Sequence, residues 1–60
     1  MLKGYYDVYI DDIKEEENKV MYHFEGCKMR TAKLYKTKFD RKYFQIAGDR
    51  YYVDEFVEVV

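Results

Sequence analysis

The 60-residue chain contains no proline and no tryptophan, and its only glycines are at positions 4, 26 and 48. Glycine, asparagine and aspartate are the residues that most readily adopt the left-handed backbone of tight turns. We therefore expect few turns, each short, at those glycines, at Asn18 or at aspartates.

Cysteine is almost absent, since Cys27 is the only one. A single cysteine excludes a disulfide within the chain and is typical of proteins in a reducing compartment, so we predict a cytoplasmic location. No uncharged apolar run approaches the roughly 18 residues that a membrane-spanning helix needs. The first residues also lack the apolar segment of a signal peptide. We expect no membrane partner.

The composition is that of a folded protein, with 48% hydrophobic and 20% aromatic residues and eight tyrosines. Sixty residues form one domain, here taken as residues 1–60, near the lower size limit at which a chain buries enough surface to fold alone. Association with a larger partner or with a second copy would add burial.

Alternating apolar residues predict two strands in the first half of the chain. The first spans residues 5–13, with Tyr6, Val8 and Ile10 facing inward, and the second spans residues 20–24. Residues 15–18 interrupt the alternation and predict a turn at Asn18, with a short helical turn as the alternative. Residues 25 and 26 predict a tight hairpin turn.

A long, bent strand is expected from Lys28 to Phe39, followed by a turn at residues 40 and 41. Leu34 and Phe39 would point to opposite faces of a regular strand, so a bulge must separate them if both side chains reach the core. Phe44 and Ile46 face inward on the next strand, residues 43–47.

The last part of the chain predicts a return strand and a terminal strand. Gly48 and Asp49 predict a two-residue connection into a strand at residues 50–53. Residues 54–56 read as one helical turn before a short strand at residues 57–60, and this strand could pair with the beginning of the chain.

Five or six short antiparallel strands in one small domain predict an all-β fold closed into a barrel, because closure removes exposed sheet edges. The layout is similar to that of SH3-like barrels in its acidic first loop, its three-stranded meander and its single helical turn before the last strand. An OB-like barrel and an open antiparallel meander are the alternatives. The chain lacks the ALYDY-type segment and the tryptophan of signalling SH3 domains, so proline-rich peptides are not expected as ligands.

Catalytic and metal-binding signatures are missing from the sequence. His23 and Cys27 are the only strong soft-metal ligands, and a zinc site would need two further donors. No glycine-rich loop accompanies them to stabilise an oxyanion. Asp11 and Asp12 are adjacent on a predicted strand and therefore point to opposite faces. We predict no enzyme activity, no metal and no cofactor.

Charge is distributed unevenly along a chain whose net charge is −1. Residues 28–42 carry seven of the eleven positive charges with only Asp40 against them, and residues 7–17 carry six of the twelve acids with only Lys14. Basic residues interleaved with aromatic ones are typical of nucleic-acid-binding barrels. They also protect exposed strand edges from aggregation.

Tyrosine is too abundant for a core of this size, so several tyrosines must lie at the surface. Interfaces are enriched in tyrosine because it offers a large amphipathic contact at little entropic cost. The residues predicted to contact a partner are Tyr5, Asp7, Tyr9, Asp11, Lys33, Tyr35, Lys36, Lys38, Arg41, Lys42 and Tyr43.

These features predict a non-enzymatic protein-binding module, or a small inhibitor, that docks on a larger macromolecular complex. In size and composition the chain resembles small accessory proteins of phages and other mobile elements, including inhibitors of host defence nucleases. The alternative is a barrel that binds single-stranded nucleic acid through residues 28–42, with bases stacked on Tyr35 and Tyr43.

Overall fold

The computed structural model describes residues 1–59, and within them the fold is all-β with nine short strands and two single 3₁₀ turns. The strands are β1 (Leu2–Lys3), β2 (Tyr9–Ile10), β3 (Asp12–Glu15), β4 (Lys19–His23), β5 (Arg30–Lys33), β6 (Tyr35–Lys36), β7 (Lys42–Ile46), β8 (Asp49–Tyr52) and β9 (Val57–Glu58). They form three antiparallel sheets with the orders β2-β1-β9, β3-β4-β5 and β6-β7-β8. The predicted all-β, antiparallel class is confirmed.

Two short junctions connect the sheets. Asp11 alone separates β2 from β3, and Leu34 alone separates β5 from β6. Each pair of strands is therefore one stretch of chain that bends from one sheet into the next. The strand pairings among residues 1–59 give three separate sheets and no closed barrel. Barrel closure thus stays a prediction.

The core contains five buried side chains, three of them aromatic. These residues are Ile10, Val20, Tyr22, Phe44 and Tyr51. Val20 and Tyr22 share the inner face of β4, and Phe44 of β7 pairs with Tyr51 of β8. The rings of Tyr22 and Phe44 lie 5.3 Å apart, so the core joins strands from two sheets. The predicted inward alternation of β4 and β7 is confirmed.

The predicted first strand is wrong at its beginning. Residues Tyr5–Asp7 form a 3₁₀ turn in which Tyr6 and Asp7 both have a φ of 57°, and the side chain of Tyr6 is 74% exposed rather than inward. The physical reason is an additional strand, β1, that pairs with β2 and with β9. Residues 4–8 must then reverse the chain, and the Gly4 N–H donates to the Val8 carbonyl at 2.9 Å.

Of the two turns predicted around β4, the one at Asn18 is confirmed. The turn at residues 25 and 26 is present, but it lies within a six-residue connection, residues 24–29, rather than in a tight hairpin, so β5 begins at Arg30 and not at Lys28. Between β3 and β4, the Glu16 N–H donates to the Lys19 carbonyl at 2.9 Å. After β4, the Cys27 N–H donates to the Phe24 carbonyl at 3.0 Å, and Gly26 has a φ of 76° that favours glycine.

The connection between β7 and β8 differs by one residue from the prediction. Ile46 pairs with Asp49, so the two-residue loop is Ala47–Gly48 rather than Gly48–Asp49. Both loop residues have positive φ, 53° for Ala47 and 86° for Gly48. This is the pattern of a type I′ turn, whose twist matches that of the flanking strands.

The hairpin between β6 and β7 turns at residues 38–40, close to the predicted position. Thr37 organises the turn because its hydroxyl oxygen accepts the N–H groups of Phe39 and Arg41, both at 3.2 Å. Phe39 is 77% exposed at the hairpin tip and does not reach the core. No bulge is then needed to direct it inward.

The end of the chain has the predicted order of strand, helical turn and terminal strand, but the turn begins one residue earlier than predicted and β9 ends at Glu58. Residues Val53–Glu55 form the second 3₁₀ turn, and β9 pairs antiparallel with β1 in the register Leu2 with Glu58. Val60, which was predicted to end the terminal strand, lies outside the described residues. No helix in residues 1–59 has the length and apolar character that crossing a membrane requires.

Candidate functional site

Three tyrosines lie side by side on the outer face of the β6-β7-β8 sheet. Strand register pairs Tyr35 with Tyr43 and Tyr43 with Tyr52. Their sequence neighbours Phe44 and Tyr51 are buried, so side-chain alternation turns Tyr43 and Tyr52 outward. We call Tyr35, Tyr43 and Tyr52 the tyrosine row.

The rings of the tyrosine row contact one another directly. Tyr35 and Tyr43 are stacked, with centroids 5.3 Å apart and planes 17° apart, whereas Tyr43 and Tyr52 are tilted at 5.6 Å. Cross-strand aromatic pairs of this kind stabilise a sheet by about 0.2–1 kcal/mol each. The row is therefore a preorganised surface.

Three cations lie over these rings. The Arg50 guanidinium is 4.1 Å from the Tyr43 centroid, and the Arg41 guanidinium is 4.0 Å from the Tyr52 centroid. The Lys33 ammonium is 5.3 Å from the Tyr35 centroid. These distances are within the range of cation–π attraction. Each ring of the row thus has its own cation.

Arg41 also connects the row to a pair of carboxylates. Its Nη2 donates to Asp54 Oδ1 at 3.1 Å and to Glu55 Oε1 at 3.0 Å. The hydrogen bond to Asp54, followed by the one to Glu55, raises the pKa of Arg41 above its ordinary value. The Tyr5 hydroxyl donates to Glu55 as well, and this hydrogen bond raises the pKa of Tyr5.

The two ends of the row consequently differ in charge. Lys33 and Arg50 make no ion pair with a carboxylate within residues 1–59. At the Tyr52 end, Arg50 donates to the Tyr52 hydroxyl at 3.4 Å, and the charges of Arg41 and Arg50 balance those of Asp54 and Glu55. The row therefore has an unpaired positive charge at Lys33 and two balanced pairs of charges beside Tyr52.

Other predicted cations lie away from this face. Lys42 lies on the same face of β7 as buried Phe44, and its ammonium forms an ion pair with Glu15 at 2.6 Å. Lys36, which lies opposite Lys42 in the ladder, pairs with Asp40, also at 2.6 Å. The Lys36 hydrogen bond lowers the pKa of Asp40.

Lys38 is the remaining predicted cation, and it lies at the hairpin tip, 5.2 Å from the Phe39 ring. Of the five cations predicted to contact a partner, Lys36, Arg41 and Lys42 are therefore in ion pairs within the chain. The basic segment does not form one continuous cationic surface.

The predicted acidic residues make local contacts outside the row. Asp7 pairs with Lys3 at 3.4 Å, and the Lys3 ammonium also lies 5.7 Å from the Tyr9 ring centroid. Asp11 Oδ2 is 3.4 Å from His23 Nδ1. Among the tyrosines predicted in the first half of the chain, only Tyr5 reaches the row, through Glu55.

Sequence reasoning missed four residues of this face, namely Arg50, Tyr52, Asp54 and Glu55. Tyr52 is not among the residues that the sequence assigns to the site. The signal that places it there is the register of β7 with β8, which a single sequence does not reveal. Arg50 follows from the same register, because it lies two pairs further along β8 and therefore on the same face as Tyr52.

Three features of residues 1–59 bear on catalysis and metal binding. No group of three or more His, Cys, Asp and Glu side chains in residues 1–59 is placed to hold a metal ion. Cys27 is exposed. A shallow depression near the second 3₁₀ turn is lined by Glu15, Asp40, Arg41, Lys42, Val53 and Asp54. Its charged side chains are committed to ion pairs.

Comparisons of the chain with protein-family models, with curated proteins and with solved structures find no match, so similarity supplies neither a family nor a function.

Proposed function

We propose that this protein is a non-enzymatic protein-binding module and that the tyrosine row, with Lys33, Arg41 and Arg50, is its binding face. The observation that carries the proposal is the row itself: three contacting tyrosines and three cations on one exposed sheet face. Tyrosine and arginine are the residue types that concentrate binding energy at protein interfaces.

Preorganisation adds to this argument. The stacked rings and the cations above them are already held in one arrangement, so little side-chain entropy remains to be lost on binding. Interfaces also place aromatic groups at the centre and charged groups at the rim. The row has that arrangement, with Tyr43 in the middle and charges at both ends.

The same contacts disfavour the single-stranded nucleic-acid alternative. A base stacks on an aromatic ring only when one face of the ring is free. Tyr43 has Tyr35 on one side and the Arg50 guanidinium within 4.1 Å, and Arg41 covers Tyr52. Arg41 is in addition held by two carboxylates, which compete with phosphates for it.

The barrel layout of the fold is part of the same proposal. We infer that the bends at Asp11 and Leu34 bring the three sheets around the shared core in an SH3-like barrel layout. Docking on a larger macromolecular complex, and inhibition of a nucleic-acid-handling enzyme in the manner of phage accessory proteins, are the narrower functions that this binding face would serve.

A tagged pull-down from the source cell's lysate, with and without nuclease, tests the proposal. We expect a stoichiometric protein that survives nuclease treatment and is lost with Arg50→Glu. Lys14→Glu is the matched control, because Lys14 is an exposed strand lysine on β3, outside the row. Recovery of nucleic acid with loss of the protein after digestion would instead support the alternative. Capture that is insensitive to Arg50→Glu would exclude the row as the site.

A further inference from the structure

We propose that the partner protein adds an extended segment to the edge of β8, antiparallel to it, with a carboxylate beside Arg50 and a cation beside Asp49. This inference rests on the proposed function, that the face around the tyrosine row binds protein, and names the form and charge of the partner's segment. The observation behind it is that β8 ends the β6-β7-β8 sheet and has no further strand beside it within residues 1–59.

The backbone of Arg50 directs a donor and an acceptor to this edge. Ile46 and Asp49 flank the two-residue loop and pair, so they exchange the first hydrogen bonds of the hairpin. Hydrogen-bonded and non-hydrogen-bonded pairs alternate along an antiparallel ladder, which makes Gln45 with Arg50 a non-hydrogen-bonded pair. The N–H and the carbonyl of Arg50 therefore point away from β7, where an added antiparallel strand would hydrogen-bond to both.

The other side of β7 gives the same alternation independently. The Thr37 N–H donates to the Arg41 carbonyl at 2.8 Å, so the backbone groups of Arg41 point toward β6 and its hairpin turn. Gln45 lies four residues further along β7, and its backbone groups therefore have the same direction. They do not point to β8, in agreement with the open N–H and carbonyl of Arg50.

The outer face of the edge calls for an acidic residue in the added segment. The Arg50 guanidinium lies 4.1 Å from the Tyr43 centroid and donates to the Tyr52 hydroxyl at 3.4 Å. It forms no ion pair with a carboxylate in the described part of the chain. A carboxylate on the residue opposite Arg50 would supply a charge-assisted hydrogen bond to a guanidinium that is already held in place.

The inner face of the edge calls for a basic residue one position further along. Asp49 precedes Arg50 and therefore points to the opposite face of β8, where it is exposed. An inward-pointing charge on an edge strand disfavours pairing with an uncharged strand. Asp49 thus selects a segment with a cation at the residue opposite it.

Tyr6 places an aromatic ring beside the same edge. Its ring lies 6.1 Å from that of Tyr51 on β8, yet the residue is 74% exposed. Tyr6 and Asp7 both have a φ of 57°, and strained backbone of this kind is concentrated at binding sites. The residue of the added strand opposite Tyr51 would face the Tyr6 ring, so we expect an apolar side chain there.

The added strand is antiparallel, so its sequence from the N-terminal end is apolar, acidic and basic opposite Tyr51, Arg50 and Asp49. The probe is the peptide acetyl-Thr-Thr-Val-Glu-Lys-Thr-Thr-amide, titrated to about 1 mM into the isotopically labelled chain and followed by NMR. We expect the amide signals of Arg50 and Tyr52 to shift. A peptide with Glu and Lys exchanged should bind about tenfold more weakly, because like charges then meet at both positions.

Two further comparisons separate backbone pairing from charge alone. Methylation of the peptide nitrogen of Glu removes the donor to the Arg50 carbonyl and should abolish binding. Asp49→Lys with Arg50→Glu exchanges the charges of the edge and should invert the preference, so that the charge-exchanged peptide binds more tightly. Lys14→Glu is the control and should leave both affinities unchanged. Urea unfolding verifies that each variant is folded.

Three results would overturn the inference: no change at the Arg50 and Tyr52 amides up to about 1 mM peptide, equal affinity for the three peptides, or a double variant that keeps the original preference. These failures are distinguishable from failure of the proposed function. A chain that binds none of the peptides yet captures a protein from lysate in an Arg50-dependent manner removes strand addition at β8 and leaves the row as a protein-binding face.

Discussion

The ring of Phe56 lies against the backbone of Gly4, so closely that a Cβ at position 4 would stand 2.6 Å from Phe56 Cε1. The same ring stacks on buried Phe44, with centroids 5.8 Å apart and planes 16° apart. Gly4, which follows β1, thus contacts the core through the side chain of Phe56. Its φ of −105° is accessible to any residue, so space rather than conformation requires glycine here.

Gly4→Ala should lower the free energy of unfolding by about 1–3 kcal/mol, because the added methyl displaces the Phe56 ring from its stack. Urea denaturation measures the change. Combining it with Phe56→Leu, which shortens the obstructing side chain, should cost less than the sum of the two single substitutions. Additive costs would show that the ring is not what excludes the methyl.

Ala47→Asn should raise the free energy of unfolding by about 0.5–1 kcal/mol, because Ala47 adopts a φ of 53° in the type I′ turn and asparagine accepts that conformation better. Urea denaturation again provides the measurement. Gly48→Ala, at a φ of 86°, is the opposite control and should destabilise the chain. A neutral or destabilising Ala47→Asn would contradict the turn assignment.

Phe44→Ala and Phe39→Ala remove the same ring from two opposite environments. Phe44 is fully buried, so its loss should cost about 3–5 kcal/mol and leave the chain largely unfolded. Phe39 is 77% exposed, and its loss should change the unfolding free energy by less than about 0.5 kcal/mol. Circular dichroism and urea denaturation distinguish the two, and a strongly destabilised Phe39→Ala would contradict the exposed hairpin tip.

Lys36→Gln should destabilise the chain at neutral pH and have no effect in acid. The Lys36 hydrogen bond lowers the pKa of Asp40 below its ordinary value of 3.8. A carboxyl whose pKa is lowered by folding stabilises the fold above its unfolded pKa, and this stabilisation is lost as the pH falls through the folded pKa. The difference between wild type and variant should therefore shrink as the pH falls below 3.8 and disappear once the pH is below the lowered pKa of Asp40 in the folded state.

Urea denaturation at neutral and at strongly acidic pH measures this difference. Lys38→Gln is the control, because Lys38 has no carboxylate partner in residues 1–59 and its removal should show no such pH dependence. A difference for Lys36→Gln that persists in acid would mean that the lysine acts through packing rather than through Asp40.

Sequence periodicity predicted the fold best where one strand face is buried. Val20, Tyr22 and Phe44 are inward as expected, because period-two alternation reports the burial of one face. It failed at Tyr6, where alternating residues form a 3₁₀ turn instead. Strand pairing between β1, β2 and β9 decides that segment, and such pairing joins residues that are distant in sequence.

The residue types of the candidate site were predictable from the sequence, but several of the particular residues that form it were not. Surplus tyrosine indicated an exposed aromatic surface, and the structure brings Tyr35 and Tyr43 into contact. Arg50 and Tyr52 enter only through the register of β7 with β8, and a one-residue slip would place them on the other face. Ion pairs such as Lys42 with Glu15 depend on tertiary contacts that local sequence does not encode.

The antiparallel pairing of β1 with β9 places the first and last described residues side by side, and the Val59 N–H donates to the Met1 carbonyl at 2.9 Å. This pairing joins two strands that are distant in sequence, and β1 has β2 as its other neighbour in the same sheet. Without β9, the sheet would be reduced to the β1-β2 hairpin, and an isolated two-stranded hairpin is marginally stable in water. The stability of the first hairpin therefore depends on the last strand.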